Sequence, residues 1–199
     1  MSTSLNGMRV AILVTDGFEQ IELTSPKAAL EKEGATTIIA SDQKGQVQGF
    51  HHDKKADHFL VEQIFDNIDP NDFDAVLLPG GVQNSDTIRL NQPAQRFVQA
   101  MQKQHKPIAV ICHGAWLLVS AGLVKGRTLT SWPSLQDDIR NAGGEWVDQQ
   151  VVTNDNWISS RKPDDLPAFN KAVIKAISDY KQQSVRGTED ENAVGLAAG

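Results

Sequence analysis

Apolar runs of four to eight residues alternate along the chain with longer segments whose apolar positions recur at three- and four-residue intervals. This is the pattern of βα units wound around a mostly parallel sheet. The short runs predict strands over 8–15, 36–41, 74–78, 107–111 and 127–131. The longer segments predict helices over 21–33, closed by Gly34 at C′, and over 93–104, with Asn91 as cap and Pro93 near N1. Further helices are predicted directly after Cys112, over 133–141 and over 164–180. In the last, Leu166, Phe169, Val173, Ile177 and Tyr180 form one face that packs on the sheet. Two antiparallel additions interrupt this rhythm: a turn-rich β excursion over 44–57, and a short hairpin in which 151–153 and 157–159 flank Asn154-Asp155-Asn156.

Composition narrows the picture. At 199 residues the chain fits one domain, over 1–181, because compact domains run to about 200 residues before a core splits. From about 182 it turns to Gly, Ala, Ser and charge with little to bury, which predicts a disordered tail over 182–199. A single cysteine excludes an internal disulfide framework, and the first residues lack the basic and long apolar regions of a secretory signal, so a cytoplasmic protein is expected. No stretch approaches the roughly 20 apolar residues of a membrane span. The net charge of −6, without a Lys/Arg cluster, argues against a sequence-specific nucleic-acid partner.

Cys112 sits where Pro107-Ile108-Ala109-Val110-Ile111 gives way to His113-Gly114-Ala115-Trp116. A buried strand that ends abruptly at a helix start is the pattern of a nucleophile elbow, which holds the intervening side chain at the carboxyl edge of a sheet beside free backbone N–H groups. A thiol at a helix N-terminus is expected to ionise readily, with a pKa of about 3.5–7.5. The competing reading is a small buried hydrophobe. Gly114, without a Cβ, lets the helix start tightly. Gly80 and Gly81 follow the third strand, where backbone N–H groups can face an oxyanion or merely form a tight turn. Asp16 and Glu19 end the first strand, as site acids or as helix-start charges. His113 adjoins the thiol, although sequence neighbours at an elbow need not point the same way.

His51, His52 and His58 lack a Cys or carboxylate at ligand spacing, so they are expected at the surface, with no metal. Of the four tryptophans, Trp116 is the one near enough to Cys112 in sequence to wall a site. Arg161 is expected to pair with Asp164 or Asp165.

The strings Asp16-Gly17-Phe18-Glu19-Gln20-Ile21-Glu22-Leu23, Leu77-Leu78-Pro79-Gly80-Gly81, Ala109-Val110-Ile111-Cys112-His113-Gly114, Thr130-Ser131-Trp132 and Ser159-Ser160-Arg161-Lys162-Pro163-Asp164-Asp165-Leu166 together resemble the PfpI/ThiJ family of the class I glutamine amidotransferase-like superfamily. The resemblance spans roughly 8–180. It implies a three-layer α/β sandwich with a mostly parallel, flavodoxin-like sheet, helices on both faces and a nucleophile elbow. It also implies that Cys112 is the nucleophile, that Glu19 hydrogen-bonds its sulfur, and that the N–H groups of Gly81 and His113 form the oxyanion hole. Gly80, Gly114 and Trp116 would line the pocket.

In PfpI-type proteases a carboxylate from a neighbouring subunit completes the His. Asp86 falls at that position here, one methylene shorter than the family's Glu. The implied activity is a cofactor-free, cysteine-dependent stress hydrolase of the deglycase or glyoxalase type, acting on methylglyoxal or glyoxal adducts. The alternatives are an oligomeric cysteine peptidase using Cys112, His113 and Asp86, and a redox sensor or chaperone in which Cys112 is oxidised. A dimer or hexamer is expected.

Overall fold

The structure, a computed structural model, describes residues 4–197, with side chains described to Ser184. In chain order the elements are β1 (Arg9–Leu13), β2 (Phe18–Glu19), α1 (Gln20–Lys32), β3 (Thr36–Ser41), β4 (Gln46–His51), β5 (Lys54–Leu60), β6 (Gln63–Ile64), β7 (Ala75–Leu78), α2 (Val82–Ile88), α3 (Gln92–Lys103), β8 (Ile108–Ile111), α4 (Ala115–Ser120), β9 (Thr128–Leu129), α5 (Gln136–Asn141), β10 (Glu145–Trp146), β11 (Val151–Asn154), β12 (Trp157–Ser160) and α6 (Leu166–Ala197).

Seven strands form one sheet in the order β11-β12-β8-β7-β1-β3-β6, parallel throughout except for the β11–β12 hairpin. Strands buried on both faces read as continuous apolar runs, because helices cover each side of a parallel sheet. Alternate residues accordingly serve two cores. Val10, Ile12, Leu77 and Ile111 pack with Leu23 and Leu30 of α1 and with Phe169, Val173 and Ile177 of α6. Ala11, Leu13, Leu78 and Val110 pack on the other face with Phe97 and Met101 of α3, Leu117 and Leu118 of α4 and Ile139 of α5. This is a three-layer α/β sandwich. Asn91 Oδ1 accepts from the Ala94 N–H at 2.9 Å, capping α3.

Two expectations change. The 127–131 run does not join the central sheet: β9 pairs only with β10, because the next backbone N–H groups turn elsewhere, Thr130 to Ser159 Oγ at 3.0 Å and Trp132 to the Cys112 carbonyl at 3.1 Å. Conversely, the predicted 151–159 hairpin supplies a full central strand, β12, which runs parallel to β8. Its serines hid that role, and they are buried because Ser160 Oγ donates to the Gln150 carbonyl and Ser159 Oγ receives Thr130 N–H. The tail expected over 182–199 is described beyond Ser184 in backbone only, to Ala197, as the end of α6. Residues 198–199 lie outside the described ones.

The excursion over 44–57 is the β4–β5 hairpin, joined to β2 in a separate three-stranded sheet. Its turn reaches over the carboxyl ends of the central strands, where His52 and Asp53 meet the residues that follow β7 and β8.

Candidate active site

Cys112 follows β8 with φ of 61°, a left-handed conformation that costs a non-glycine residue about 1–3 kcal/mol. Such strain persists only where the surroundings over-determine it, and here they do. Cys112–Gly114 form one 3-10 turn that leads into α4, and the Cys112 carbonyl is held by Trp132 N–H. A Cβ on Gly114 would lie 2.5 Å from the Leu78 carbonyl oxygen, so only glycine lets this turn press against the end of β7. The thiol is thereby aimed at the loop after β7.

The N–H groups of His113 and Gly81 both donate toward the sulfur. His113 Nδ1 lies 3.2 Å from Sγ, so the two sequence neighbours do meet. Its ring stacks on Trp132 (5.7 Å between centroids, 23°) and meets Trp116 edge-on (5.4 Å, 65°), which fixes the imidazole. Trp116 is fixed in turn, donating Nε1–H to Asp138 at 3.0 Å.

The carboxyl beside the sulfur is Glu22, not Glu19. Phe18–Glu19 form a strand paired with β4, which turns the Glu19 side chain toward the hairpin, where its Oε2 accepts His52 N–H at 3.0 Å. The helix starts one residue later, so Glu22 occupies its first turn and points inward. Glu22 is fully buried; Oε2 accepts Gly80 N–H at 2.8 Å, and Oε1 has no aligned partner. The chain carried a signal for this: Glu22, Pro26 and Leu30 lie at i, i+4 and i+8 on the buried face of α1. A carboxyl on an apolar stripe is more informative than one at a strand end.

A cleft of ≈ 740 Å³ opens above the sulfur. Cys112, His113, Gly81, Glu19, Asp86 and Trp116 all line it. Gly80 and Gly114 do not; they lie behind the thiol, where their missing side chains permit close approach. Glu22, His52 and Trp132 also line the cleft, and sequence reasoning had not placed them in it. His52 is on the surface as expected, its side chain 86% exposed at the rim of the cleft. Among the described residues no three His, Cys, Asp or Glu side chains are grouped so that they could hold a metal ion, His51, His52 and His58 included. Arg161 is paired, with Asp165 at 2.9 Å and Asp148 at 2.7 Å. No described helix is long and apolar enough to cross a membrane.

Comparison with known proteins adds to this geometry. A model of the DJ-1/PfpI family matches residues 8–176. Deglycase PfpI of Pyrococcus furiosus is 41% identical over 170 residues, covering 85% of this chain and 99% of that protein. The chain belongs to the DJ-1/PfpI family. Protein/nucleic acid deglycase 2 of Escherichia coli is 38% identical over 172 residues, covering 85% of this chain and 97% of that one. Drosophila melanogaster DJ-1beta shares the fold at a TM-score of 0.77 and 23% identity, covering 91% of this chain and 97% of that one.

Electrostatics in this DJ-1/PfpI site run against the expectation of a readily ionised thiol. Burial pushes the Cys112 thiol well above 9.0, and the charge of Glu22 adds to the rise; the N–H groups of His113 and Gly81 oppose it. The helix that follows has only six residues, which limits the help from its dipole. Burial also raises Glu22 from 4.5 to about 8, so it is protonated at neutral pH. Protonation removes its repulsion and leaves an O–H able to donate to sulfur. His113 is lowered by burial to about 4 and is neutral, with Nδ1 free to accept the thiol proton.

These shifts make stability depend on pH. Glu22 binds its proton more tightly when folded, so its stabilising contribution is fully present below 4.5 and is lost as pH rises through about 8. His113 acts in the opposite sense: its contribution is present above 6.5 and lost as pH falls through about 4. Between pH 6.5 and 8 only Glu22 of the two changes. The urea midpoint is expected to fall across that window in the wild type and to fall less in Glu22→Gln. Equal slopes would mean that Glu22 is not buried as an acid.

Proposed function

We propose that this protein is a cysteine-dependent deglycase that removes methylglyoxal or glyoxal from thiols and amines. The observation that carries this reading is one thiol flanked by a protonated carboxyl, a neutral imidazole and two backbone N–H groups, at the base of an open cleft. The relatives named deglycases support it. That constellation suits a reaction in which protons move and an oxyanion develops, without a cofactor.

For the hemithioacetal of methylglyoxal, His113 takes the Cys112 proton. The bond from the aldehyde-derived carbon to the substrate sulfur breaks as the bond to Sγ forms, and the departing thiol takes the Glu22 proton. The Glu22 carboxylate so formed carries a proton from that carbon to the neighbouring carbonyl carbon while the hydroxyl proton passes to the neighbouring oxygen, which converts the adduct into a lactoyl thioester. Water hydrolyses the thioester to lactate, one water proton returning to Glu22 while His113 returns the Cys112 proton. The oxyanion of the hydrolytic step faces the N–H groups of Gly81 and His113. One water is consumed and no external oxidant or reductant enters.

The Cys112–His113 contact of 3.2 Å also favours a second reading, a peptidase completed by Asp86 of another copy. Asp86→Ala separates the two. Adduct hydrolysis on an uncharged substrate is expected to survive the change, whereas a peptidase would lose its cleavage of an unstructured protein. Equal loss of both activities counts against the deglycase.

A further inference from the structure

We propose that the cleft selects adducts carried on positively charged peptide segments. This deepens the deglycase reading and rests on it. Three carboxylates, Glu19, Asp53 and Asp86, line the cleft, and no Lys or Arg does. None of the three is paired with a Lys or Arg among the described residues; the one basic neighbour is the His52 ring, with Nδ1 3.7 Å from Glu19 Oε2. Lys54, which follows the lining Asp53, is exposed and does not itself line the cleft, and two other cations close to the rim are committed elsewhere. Lys162, next to the lining Pro163, pairs with Asp164 at 3.2 Å, and Arg89 donates to Ser120 Oγ at 3.0 Å while it stacks over Trp116.

At the base of the same cleft Glu22 is held by the Gly80 N–H and by its hydrogen bond with Cys112, so the unpaired acids of the cleft are Glu19, Asp53 and Asp86. Charges of one sign lining a cleft focus the field and raise the local concentration of the opposite ion, by about 10–1,000-fold in association rate. The same field repels nucleic-acid phosphates and acidic thiols.

Cys112 is the sole cysteine, so the potential at its sulfur can be read without any assumption about activity. Methanethiosulfonates convert the thiolate to a mixed disulfide and release methanesulfinate. The rates of modification of Cys112 by the 2-(trimethylammonium)ethyl, methyl and 2-sulfonatoethyl reagents would be measured, each divided by its rate with 2-mercaptoethanol. The normalised ratio of cationic to anionic reagent is expected to be about tenfold or more at low salt. It should shrink at high salt and in the Glu19→Gln/Asp53→Asn/Asp86→Asn variant. A ratio near one, or one that the variant does not alter, overturns the charge selection.

Alongside this, kcat/KM would be compared for methylglyoxal hemithioacetals of Ac-Arg-Cys-Arg-amide, Ac-Ala-Cys-Ala-amide and Ac-Glu-Cys-Glu-amide. The expected order is Arg above Ala above Glu. Equal turnover of all three overturns the substrate assignment and leaves the deglycase reading standing. No Cys112-dependent turnover of any of them, with the reagent ratio intact, overturns the deglycase reading and with it the substrate assignment.

Discussion

Replacing Glu22 by Gln is expected to lower kcat for the methylglyoxal adduct of N-acetylcysteine by about 100-fold or more, the range of a positioned acid–base group. The substitution is isosteric with the protonated acid present at neutral pH, so the fold should persist and the Gly80 N–H should keep its acceptor. What disappears is the exchangeable proton beside the sulfur. Glu19→Gln removes a side chain that faces His52 rather than Sγ and should spare kcat on this substrate. Titration gives an independent readout. Cys112 and Glu22 are coupled, so the thiolate absorbance of the wild type should rise in two macroscopic steps that belong to the pair. In Glu22→Gln one step should remain, displaced by at least about one unit, or 1.4 kcal/mol. An unchanged titration, or a larger loss in Glu19→Gln, would return the role to Glu19.

Gly80→Ala should be nearly as damaging, although it adds only a methyl group away from the cleft. The new Cβ would lie 2.7 Å from Cys112 Cβ, 2.7 Å from Glu22 Oε2 and 2.9 Å from the His113 nitrogen. Cys112 Cβ and the His113 nitrogen belong to the elbow itself, and Glu22 Oε2, though a chain end, is buried and held by the Gly80 N–H, so the nucleophile, its acid partner or the oxyanion donors must move. Overpacking of this kind costs about 1–3 kcal/mol of stability. A shift of about 1 Å at the reacting atoms costs about 100-fold in rate. The expected outcome is therefore a folded protein with a lowered melting temperature and turnover down by about two orders of magnitude. Gly122→Ala is the control: its φ of 72° makes alanine strained, but a Cβ there meets nothing within 4 Å, so stability should fall with no loss of turnover. Activity retained in Gly80→Ala would mean that the three groups are less tightly set than described.

The contrast between these glycines shows what the chain discloses and what it withholds. Buried strands with an apolar stripe of helix between them were legible because burial on both faces of a sheet leaves a continuous hydrophobic run. The elbow was legible for the same reason, since Cys112 ends such a run. The β12 strand was obscured because Ser159 and Ser160 satisfy their hydroxyls inside the fold, which no local pattern reveals. The acid beside the sulfur was assigned to Glu19 through the family resemblance, whereas Glu19 ends a strand that pairs with β4 and Glu22, in the first turn of α1, lies on its buried face. The direction of the thiol shift was also missed. The helix-terminus argument gave the sign of one contribution, whereas burial, which depends on the packed cleft, outweighs it. Trp132 reaches the site through its backbone bond to Cys112, a contact between segments distant in sequence.

The most direct test of the account is steady-state release of lactate from the methylglyoxal adduct of N-acetylcysteine by wild type and by Cys112→Ala, each corrected for spontaneous breakdown of the adduct. The account predicts that wild type releases lactate well above the spontaneous rate, one lactate for each thiol freed, and that Cys112→Ala does not exceed it. Wild type at the spontaneous rate, or Cys112→Ala as fast as wild type, would contradict it.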